Sequence, residues 1–119
     1  MRIVVVGAGK VGVTLTNILS SEGYDVTIID NENEVLNETQ EMLDVAVVEG
    51  NGFLVDVQRA AGVGKSDLLI AATSSDEINM LCCFIARKLG CKSTVARVRN
   101  PEYDQQLNFL KEDMGLLFP

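Results

Sequence analysis

The residues whose types and spacing most clearly suggest chemistry are residues 7–12, which read Gly-Ala-Gly-Lys-Val-Gly. This G-x-G-x-x-G spacing is typical of a dinucleotide-binding loop when it lies between a strand and a helix. Gly7 permits the tight turn out of the strand, Gly9 lets a pyrophosphate approach the main chain, and Gly12 lets the helix pack closely on the sheet. The N-terminus of that helix offers free N–H groups to the phosphates.

A carboxylate in a matching position supports the same interpretation. Asp30 follows Gly12 by 18 residues and ends the second predicted strand. A carboxylate there can accept hydrogen bonds from the ribose hydroxyls of adenosine. It would also repel a 2′-phosphate, so the sequence favours NAD over NADP.

Two cations are placed to meet phosphate. Lys10 lies inside the glycine loop, and Arg97 interrupts the apolar residues of a strand predicted at 94–98. A charged side chain in a buried strand needs a partner. Arg97 therefore either pairs with a nearby carboxylate such as Asp76 or contacts a nucleotide phosphate, and the sequence leaves both alternatives open.

Two further loops follow predicted strands. Residues 50–52 read Gly-Asn-Gly, and Asn51 could hydrogen-bond an adenine edge, although Asn-Gly is also a common turn. Residues 73–76 read Thr-Ser-Ser-Asp and lie where the crevice of a doubly wound sheet binds ligands. Ser74 and Glu77 also have the spacing of a helix capping box, which predicts a structural role beside the ligand contact.

Composition excludes several classes of site. The 119 residues include 10 Lys or Arg and 17 Asp or Glu, and the net charge of −7 without a basic stripe disfavours nucleic acid. The absence of His excludes Ser-His-Asp triads, Cys-His pairs and His-ligated metals. Cys82, Cys83 and Cys91 form no C-x-x-C pair, which indicates a reduced, cytoplasmic protein. Cys82 and Cys83 are predicted to be core residues of a helix.

The elements that would position these residues alternate along the chain. Apolar, β-branched runs predict six strands, and helical periodicity between them predicts helices. This alternation predicts an α/β fold, a Rossmann-like doubly wound parallel sheet of about six strands with helices on both faces. Because the chain stops on or just after the last predicted strand, we expect a fragment of a longer protein. The predicted strands cover residues 3–6, 26–29, 45–48, 68–72, 94–98 and 115–118.

The whole chain resembles a known family. Residues 7–12, Asp30, 50–52, 71–80 and 95–103 resemble the N-terminal nucleotide-binding domain of the regulators of potassium conductance, called RCK or KTN. The likeness is strongest to the TrkA-type subunits of potassium uptake systems. It implies one Rossmann domain over residues 1–119, without the C-terminal regulatory lobe that follows in the family.

The resemblance also implies a function and a set of contacts. It implies a cytoplasmic regulator that binds NAD(H), or alternatively ATP, ADP or AMP, and pairs into dimers and a ring. Its partner would be an integral-membrane potassium transporter subunit at the inner face of the cell membrane. No catalytic residue and no metal ligand is predicted. The predicted nucleotide contacts are Gly7, Gly9, Lys10, Val11, Gly12, Asp30, Asn31, Gly50, Asn51, Gly52, Ala72, Thr73, Ser74, Asp76, Asn79 and Arg97.

Two other function classes remain as alternatives. The chain could be the cofactor-binding domain of an NAD-dependent dehydrogenase, but such an enzyme needs a proton donor near the carbonyl. The chain has no His, and neither Tyr24 nor Tyr103 is followed by a Lys four residues on. A nucleotide hydrolase ranks last, because residues 64–66 lack the first glycine and the preceding strand of a P-loop.

Overall fold

A computed structural model describes residues 1–114 and 116–118 and contains one parallel six-stranded sheet. The strand order is β3-β2-β1-β4-β5-β6, and every neighbouring pair is parallel. This order confirms the predicted Rossmann-like, doubly wound sheet. The strands are β1 (Arg2–Val6), β2 (Asp25–Asp30), β3 (Ala46–Glu49), β4 (Leu68–Ala71), β5 (Ser93–Arg97) and β6 (Leu116–Phe118).

Five α-helices connect the strands and cover both faces of the sheet. Helices α1 and α2 pack with one buried cluster, and α3, α4 and α5 pack with the other. Short 3-10 turns at Val63–Lys65 and Pro101–Tyr103 complete the described elements. The helices are α1 (Lys10–Ser21), α2 (Asn33–Met42), α3 (Val55–Ala60), α4 (Asp76–Leu89) and α5 (Asp104–Met114).

Strand β1 lies at the centre of the sheet and explains the continuous apolar run of the sequence. Its side chains alternate between faces, so Ile3 and Val5 join the cluster under α1 and α2. Val4 and Val6 join the cluster under α3, α4 and α5. A strand that is buried on both faces needs apolar residues at every position, as the sequence predicts.

The predicted boundaries hold to within one or two residues at most elements. The predicted sixth strand began at Gly115, which lies outside the described residues, and β6 covers Leu116–Phe118. The predicted helix stop at Gly90 is confirmed, because Gly90 closes α4 with a positive φ of 109°. Within the described residues, no helix combines the length and apolarity that crossing a bilayer requires.

Candidate functional site

The main cavity opens at the carboxyl ends of β1 and β4, where the strand order reverses direction. Strand β1 is followed along the chain by β2 on one side, whereas β4 continues toward β5 on the other. A crevice therefore forms between the two sets of loops, as in other open α/β sheets. Its volume is about 550 Å³, within the range of roughly 300–1,000 Å³ that is usual for small-molecule sites.

The glycine loop forms the floor of this crevice through two close contacts. Gly7 has a φ of +107°, and a Cβ on it would lie 3.0 Å from the carbonyl carbon of Ala72, which directly follows β4. A Cβ on Gly12 would overlap the carbonyl oxygen of Gly7. These contacts are the tight turn and the close helix packing that the spacing predicts. A Cβ on Gly9 would meet nothing within 4 Å, so the main chain there is open to the crevice.

Helix α1 presents its N-terminus to the same cavity. Gly9 is the N-cap and supplies no side-chain hydrogen bond to the first turn. The first turn carries no acidic residue, and its first residue, Lys10, is exposed and lines the crevice. Free N–H groups, the positive end of the helix dipole and an ammonium group are therefore directed at one place, an arrangement suited to an anion.

Asp30 is the last residue of β2 and lies beside the glycine loop. Its Oδ2 accepts a hydrogen bond of 2.6 Å from the main-chain N–H of Ala8, and its Oδ1 accepts one of 2.8 Å from that of Glu32. A carboxylate has about four acceptor positions, so these bonds leave room for two more donors. Asp30 can thus hold the loop and still accept ribose hydroxyls.

The loop after β3 forms the wall beyond Asp30. Asn31 donates from Nδ2 to Oδ1 of Asn51 at 3.1 Å, which joins the segments that follow the neighbouring strands β2 and β3. Gly52 is buried, and a Cβ on it would overlap the side chain of Val6. The loop therefore passes close to β1, and a base beside it would contact main chain and the ring of Phe53, which also lines the cavity.

The loop after β4 is held by side chains of α4. Asn79 is fully buried and does not line the cavity, and its amide bonds the N–H, hydroxyl and carbonyl of Thr73. Ser75 rather than Ser74 is the N-cap of α4, because its Oγ accepts from the N–H of Ile78 at 3.2 Å. The predicted capping role of Ser74 is therefore wrong, and Ser74 is left exposed at the rim.

Arg97 is half-buried at the end of β5 and lines the crevice. Its Nε is buried without a hydrogen-bond partner, and no ion pair of Arg97 within 4.0 Å is found in the described part of the chain. Of the two alternatives that the sequence leaves open for Arg97, the pairing with Asp76 is not formed. Asp76 instead accepts from the main-chain N–H groups of Arg99 at 3.1 Å and Asn100 at 2.8 Å. Arg97 is thus a cation that lines the cavity and has one unused, buried donor.

Most of the predicted contacts meet in this one cavity, and three do not. Gly12, Asp76 and Asn79 lie outside its lining: Gly12 packs on Gly7, while the two polar side chains bond main-chain groups. The predicted residues that line it are Gly7, Gly9, Lys10, Val11, Asp30, Asn31, Gly50, Asn51, Gly52, Ala72, Thr73, Ser74 and Arg97.

The cavity also includes residues that the sequence reasoning missed. Ala8, Glu32, Phe53 and Ser75 directly adjoin predicted residues in the sequence, and this adjacency could have indicated them. The same holds for Val6, Ile29 and Ile78, whereas Val35 adjoins no predicted residue and follows the helical periodicity of the core. The complete set of missed lining residues is Val6, Ala8, Ile29, Glu32, Val35, Phe53, Ser75 and Ile78.

The groups with shifted pKa values lie away from the crevice. Burial raises the pKa of the Cys82 and Cys83 thiols to about 12, so they are neutral core groups, as the sequence predicts. The pKa of Tyr103 is raised because its hydroxyl donates to the carboxylate of Glu77 at 2.7 Å. These groups are therefore not placed to react with a ligand in the cavity.

Comparison with known proteins assigns a family. The family model of the TrkA-N domain matches residues 3–114. The chain is 38% identical over 105 residues to a Trk system potassium uptake protein TrkA homolog of Methanothermobacter thermautotrophicus, covering 88% of this chain and 49% of that protein. It is 44% identical over 104 residues to the Trk system potassium uptake protein TrkA of Haemophilus influenzae, covering 87% of this chain and 23% of that protein.

Solved structures share the fold at lower identity. A structure described as the GsuK channel bound to NAD superposes with a TM-score of 0.83 at 21% identity, covering 99% of this chain and 21% of that one. A structure of GsuK bound to ADP gives a TM-score of 0.82 at 21% identity, covering 99% of this chain and 31% of that one. The chain thus spans about half or less of the length of these two TrkA proteins.

Proposed function

From the premise that this chain belongs to the TrkA-N domain family, we propose that it is the nucleotide-sensing domain of a regulator of potassium uptake. The observation that carries this function is the unpartnered, buried Nε of Arg97, a residue that lines the same crevice as the open N-terminus of α1. Two sources of positive potential at one crevice, with Arg97 in no ion pair among the described residues, indicate a phosphate site.

The opposite end of the crevice supports the adenosine half of the ligand. Asp30 retains two acceptor positions for ribose hydroxyls. Phe53, Gly52 and Ile29 provide apolar and main-chain surface beyond it. One end of the crevice thus offers hydrogen-bond donors for phosphate. The other end offers an acceptor for ribose and an apolar wall, so the crevice suits an adenine nucleotide.

We propose NAD(H) as the ligand, with ATP, ADP or AMP as the alternative. The carboxylates of Asp30 and Glu32 both line the ribose end and would repel a 2′-phosphate, which disfavours NADP(H). The GsuK channel, whose domain shares this fold, is described with NAD in one structure and with ADP in another. The choice in this chain depends on whether Lys10 and Arg97 bind a terminal phosphate or a pyrophosphate bridge.

Calorimetric titration of the chain with NADH, NAD, ATP, ADP and NADPH at fixed salt tests the ligand. We expect binding of the adenine nucleotides, with NADPH at least about tenfold weaker than NADH, since a 2′-phosphate would meet two carboxylates. Arg97→Met should weaken every phosphate-containing ligand, while Arg59→Met, on the exposed surface of α3, is the matched control. Absence of binding by all five nucleotides would contradict the proposed site.

The regulatory role concerns the longer protein. We propose that the domain lies in the cytoplasm at the inner face of the membrane and acts on an integral-membrane potassium transporter subunit. A nucleotide shifts such an equilibrium only by binding its two states with different affinity. Rubidium uptake by cells that carry Gly9→Ala in the longer protein tests this step. Unchanged dependence of uptake on the nucleotide state of the cell would contradict it.

Self-association into dimers and a ring is proposed from exposed apolar side chains. Leu81 and Phe84 on α4 are 45% and 40% exposed, and Phe109 on α5 is 85% exposed. Large apolar groups on neighbouring helices are typical of interaction surfaces. Light scattering should give a lower mass for Phe109→Ser than for the parent chain at the same concentration, whereas equal masses would contradict assembly through this face.

We propose that the domain is a sensor rather than an enzyme. A dehydrogenase needs a proton donor beside the nicotinamide, and neither Tyr24 nor Tyr103 lines the crevice. The alternative, a cofactor-binding domain of an NAD-dependent dehydrogenase, predicts NADH oxidation with a carbonyl substrate. Binding of NADH without its consumption across a panel of aldehydes and ketones would support the sensor.

A further inference from the structure

The buried side-chain amide of Asn79 lies beneath the crevice and connects the loop after β4 to the end of β5. Asn79 lies in the first turns of α4 and is fully buried. Its Nδ2 donates to the carbonyl oxygen of Thr73 at 3.1 Å and to that of Arg97 at 2.8 Å. Its Oδ1 accepts from the N–H of Thr73 at 2.9 Å and from the Thr73 hydroxyl at 2.6 Å. The side chain therefore uses two donors and two acceptor positions, its full capacity.

Three of these four bonds go to Thr73. The hydroxyl of Thr73 bonds Asn79 and also accepts from the N–H of Ser75 at 3.2 Å. Its main-chain N–H and carbonyl are likewise occupied by Asn79. Thr73 thus shapes the crevice wall, and its main-chain N–H and its hydroxyl hydrogen are already donated to Asn79.

The fourth bond reaches the main chain of the residue that bears the unpartnered cation. Arg97 is the last residue of β5, beyond the last paired position with β4, Ala96. Sheet pairing with β4 therefore ends one residue before Arg97, and the bond from Asn79 fixes its carbonyl on that side. The direction in which the guanidinium leaves the strand depends on the orientation of this peptide.

We propose that Asn79 is a positioning residue for phosphate recognition: it touches no ligand, but it holds Arg97 so that its guanidinium faces the crevice. This role rests on the proposed nucleotide site. An amide is needed because the position must donate twice and accept twice. A carboxylate would lack both donors, and an alkyl side chain would remove all four of these hydrogen bonds.

The first test monitors the environment of the Arg97 side chain by NMR in the absence of any ligand. The Nε–H resonance of Arg97 in the 15N-labelled chain should shift and exchange faster in Asn79→Ser than in the parent chain. Ser66→Ala is the matched control, because Ser66 is also buried and bonds a main-chain carbonyl, that of Val63, before β4 begins. If Asn79→Ser does not fold, Thr73→Val keeps the shape and removes one bond to the amide, and it should shift the same resonance less.

The second test is a double-mutant cycle on binding. ADP and adenosine serve as probes, since only ADP offers phosphate. Arg97→Met should lower the affinity for ADP about tenfold relative to the affinity for adenosine. Asn79→Ser should reduce the preference for ADP over adenosine by a similar factor. The double variant should lose no more than Arg97→Met alone, because coupled groups are not additive.

The outcomes separate this role from the proposed function. An unshifted Nε–H resonance in a folded Asn79 or Thr73 variant, or additive losses in the cycle, would overturn the positioning role while nucleotide binding stands. If the resonance shifts but the chain binds neither ADP nor adenosine, Asn79 does position Arg97. That result would overturn the proposed site and, with it, any role of Asn79 in phosphate recognition.

Discussion

The carboxylate of Asp30 accepts a 2.6 Å hydrogen bond from the main-chain N–H of Ala8, which ties the end of β2 to the glycine loop that follows β1. The two segments belong to different strand–helix units, so the bond sets the width of the crevice at its ribose end. The other carboxylate oxygen bonds Glu32 at the start of the next loop. One side chain thus organises three segments of the site and still has acceptor positions left for a ligand.

Asp30→Asn should weaken both the fold and the site. An amide nitrogen would replace one acceptor and face a main-chain N–H, which we expect to lower the free energy of unfolding by about 1–3 kcal/mol. Affinity for adenosine and ADP should fall together, because the lost group binds ribose. Asp67→Asn is the matched control, since Asp67 accepts from the N–H of Arg2 far from the crevice. Urea denaturation and calorimetry should show loss of stability without loss of affinity in the control, and equal affinities of parent chain and Asp30→Asn would contradict the ribose contact.

Two glycines of one loop should respond oppositely to alanine. Gly12→Ala would drive a Cβ into the carbonyl oxygen of Gly7, and overpacking of this kind costs about 1–3 kcal/mol or more. Gly9→Ala meets nothing within 4 Å, so its stability should change by less than about 0.5 kcal/mol. Its added methyl group lies on the open side of the main chain and should weaken ADP binding. Thermal unfolding together with titration distinguishes the two effects, and full ADP affinity in Gly9→Ala would place the phosphates elsewhere.

Much of this architecture was predictable because it depends on local pattern. Continuous apolar runs, helical periodicity and the spacing of Gly7, Gly9 and Gly12 reflect burial and close packing, which each residue type enforces on its own. The full burial of Asn79 was also predictable in principle. It shares the buried stripe of α4 with Cys82, Cys83 and Ala86, which follow at helical spacing.

Partners chosen in three dimensions could not be predicted. Ser74 and Ser75 are equivalent by type, and the direction in which the chain enters α4 decides that Ser75 caps it. Asp76 was a reasonable partner for Arg97 by charge. Two main-chain N–H groups after β5 reach its carboxylate instead, and no sequence pattern encodes that approach.

The buried cysteines should make the protein sensitive to alkaline pH. Burial raises the pKa of Cys82 and Cys83 from 9.0 to about 12. Well below pH 9 both thiols are neutral in the folded and unfolded states. Between about pH 9 and 12 the unfolded chain releases protons that the folded chain keeps, so the free energy of unfolding should fall as pH rises.

Two measurements check this alkaline dependence. Urea midpoints from pH 8 to 11 should decline more steeply for the parent chain than for a Cys82→Ala/Cys83→Ala double variant. A disulfide reagent at pH 8 should leave both thiols unmodified until the chain unfolds, because only thiolates react. Equal slopes, or rapid modification of both thiols in the folded chain, would contradict their burial.

Gln58 should support the adenine wall in the way that Asn79 supports the phosphate end. It is fully buried in α3, and its Nε2 donates to the carbonyl oxygens of Gly52 at 2.8 Å and Cys82 at 3.0 Å. It thereby anchors the loop after β3 to α4. Gln58→Leu keeps the approximate volume and removes both bonds, which should cost about 1–3 kcal/mol of stability and weaken adenosine binding.

Gln58→Glu provides a sharper version of the same test. A carboxylate at this position would face two carbonyl oxygens and should be more destabilising than Leu at neutral pH. Protonation restores one donor, so its deficit in stability and in adenosine affinity relative to the parent chain should shrink as pH falls. The Leu variant should show no such recovery, which separates lost donation from lost packing. If Glu and Leu variants have the same pH profile, the hydrogen bonds of Gln58 do not hold the loop, and packing alone accounts for its burial.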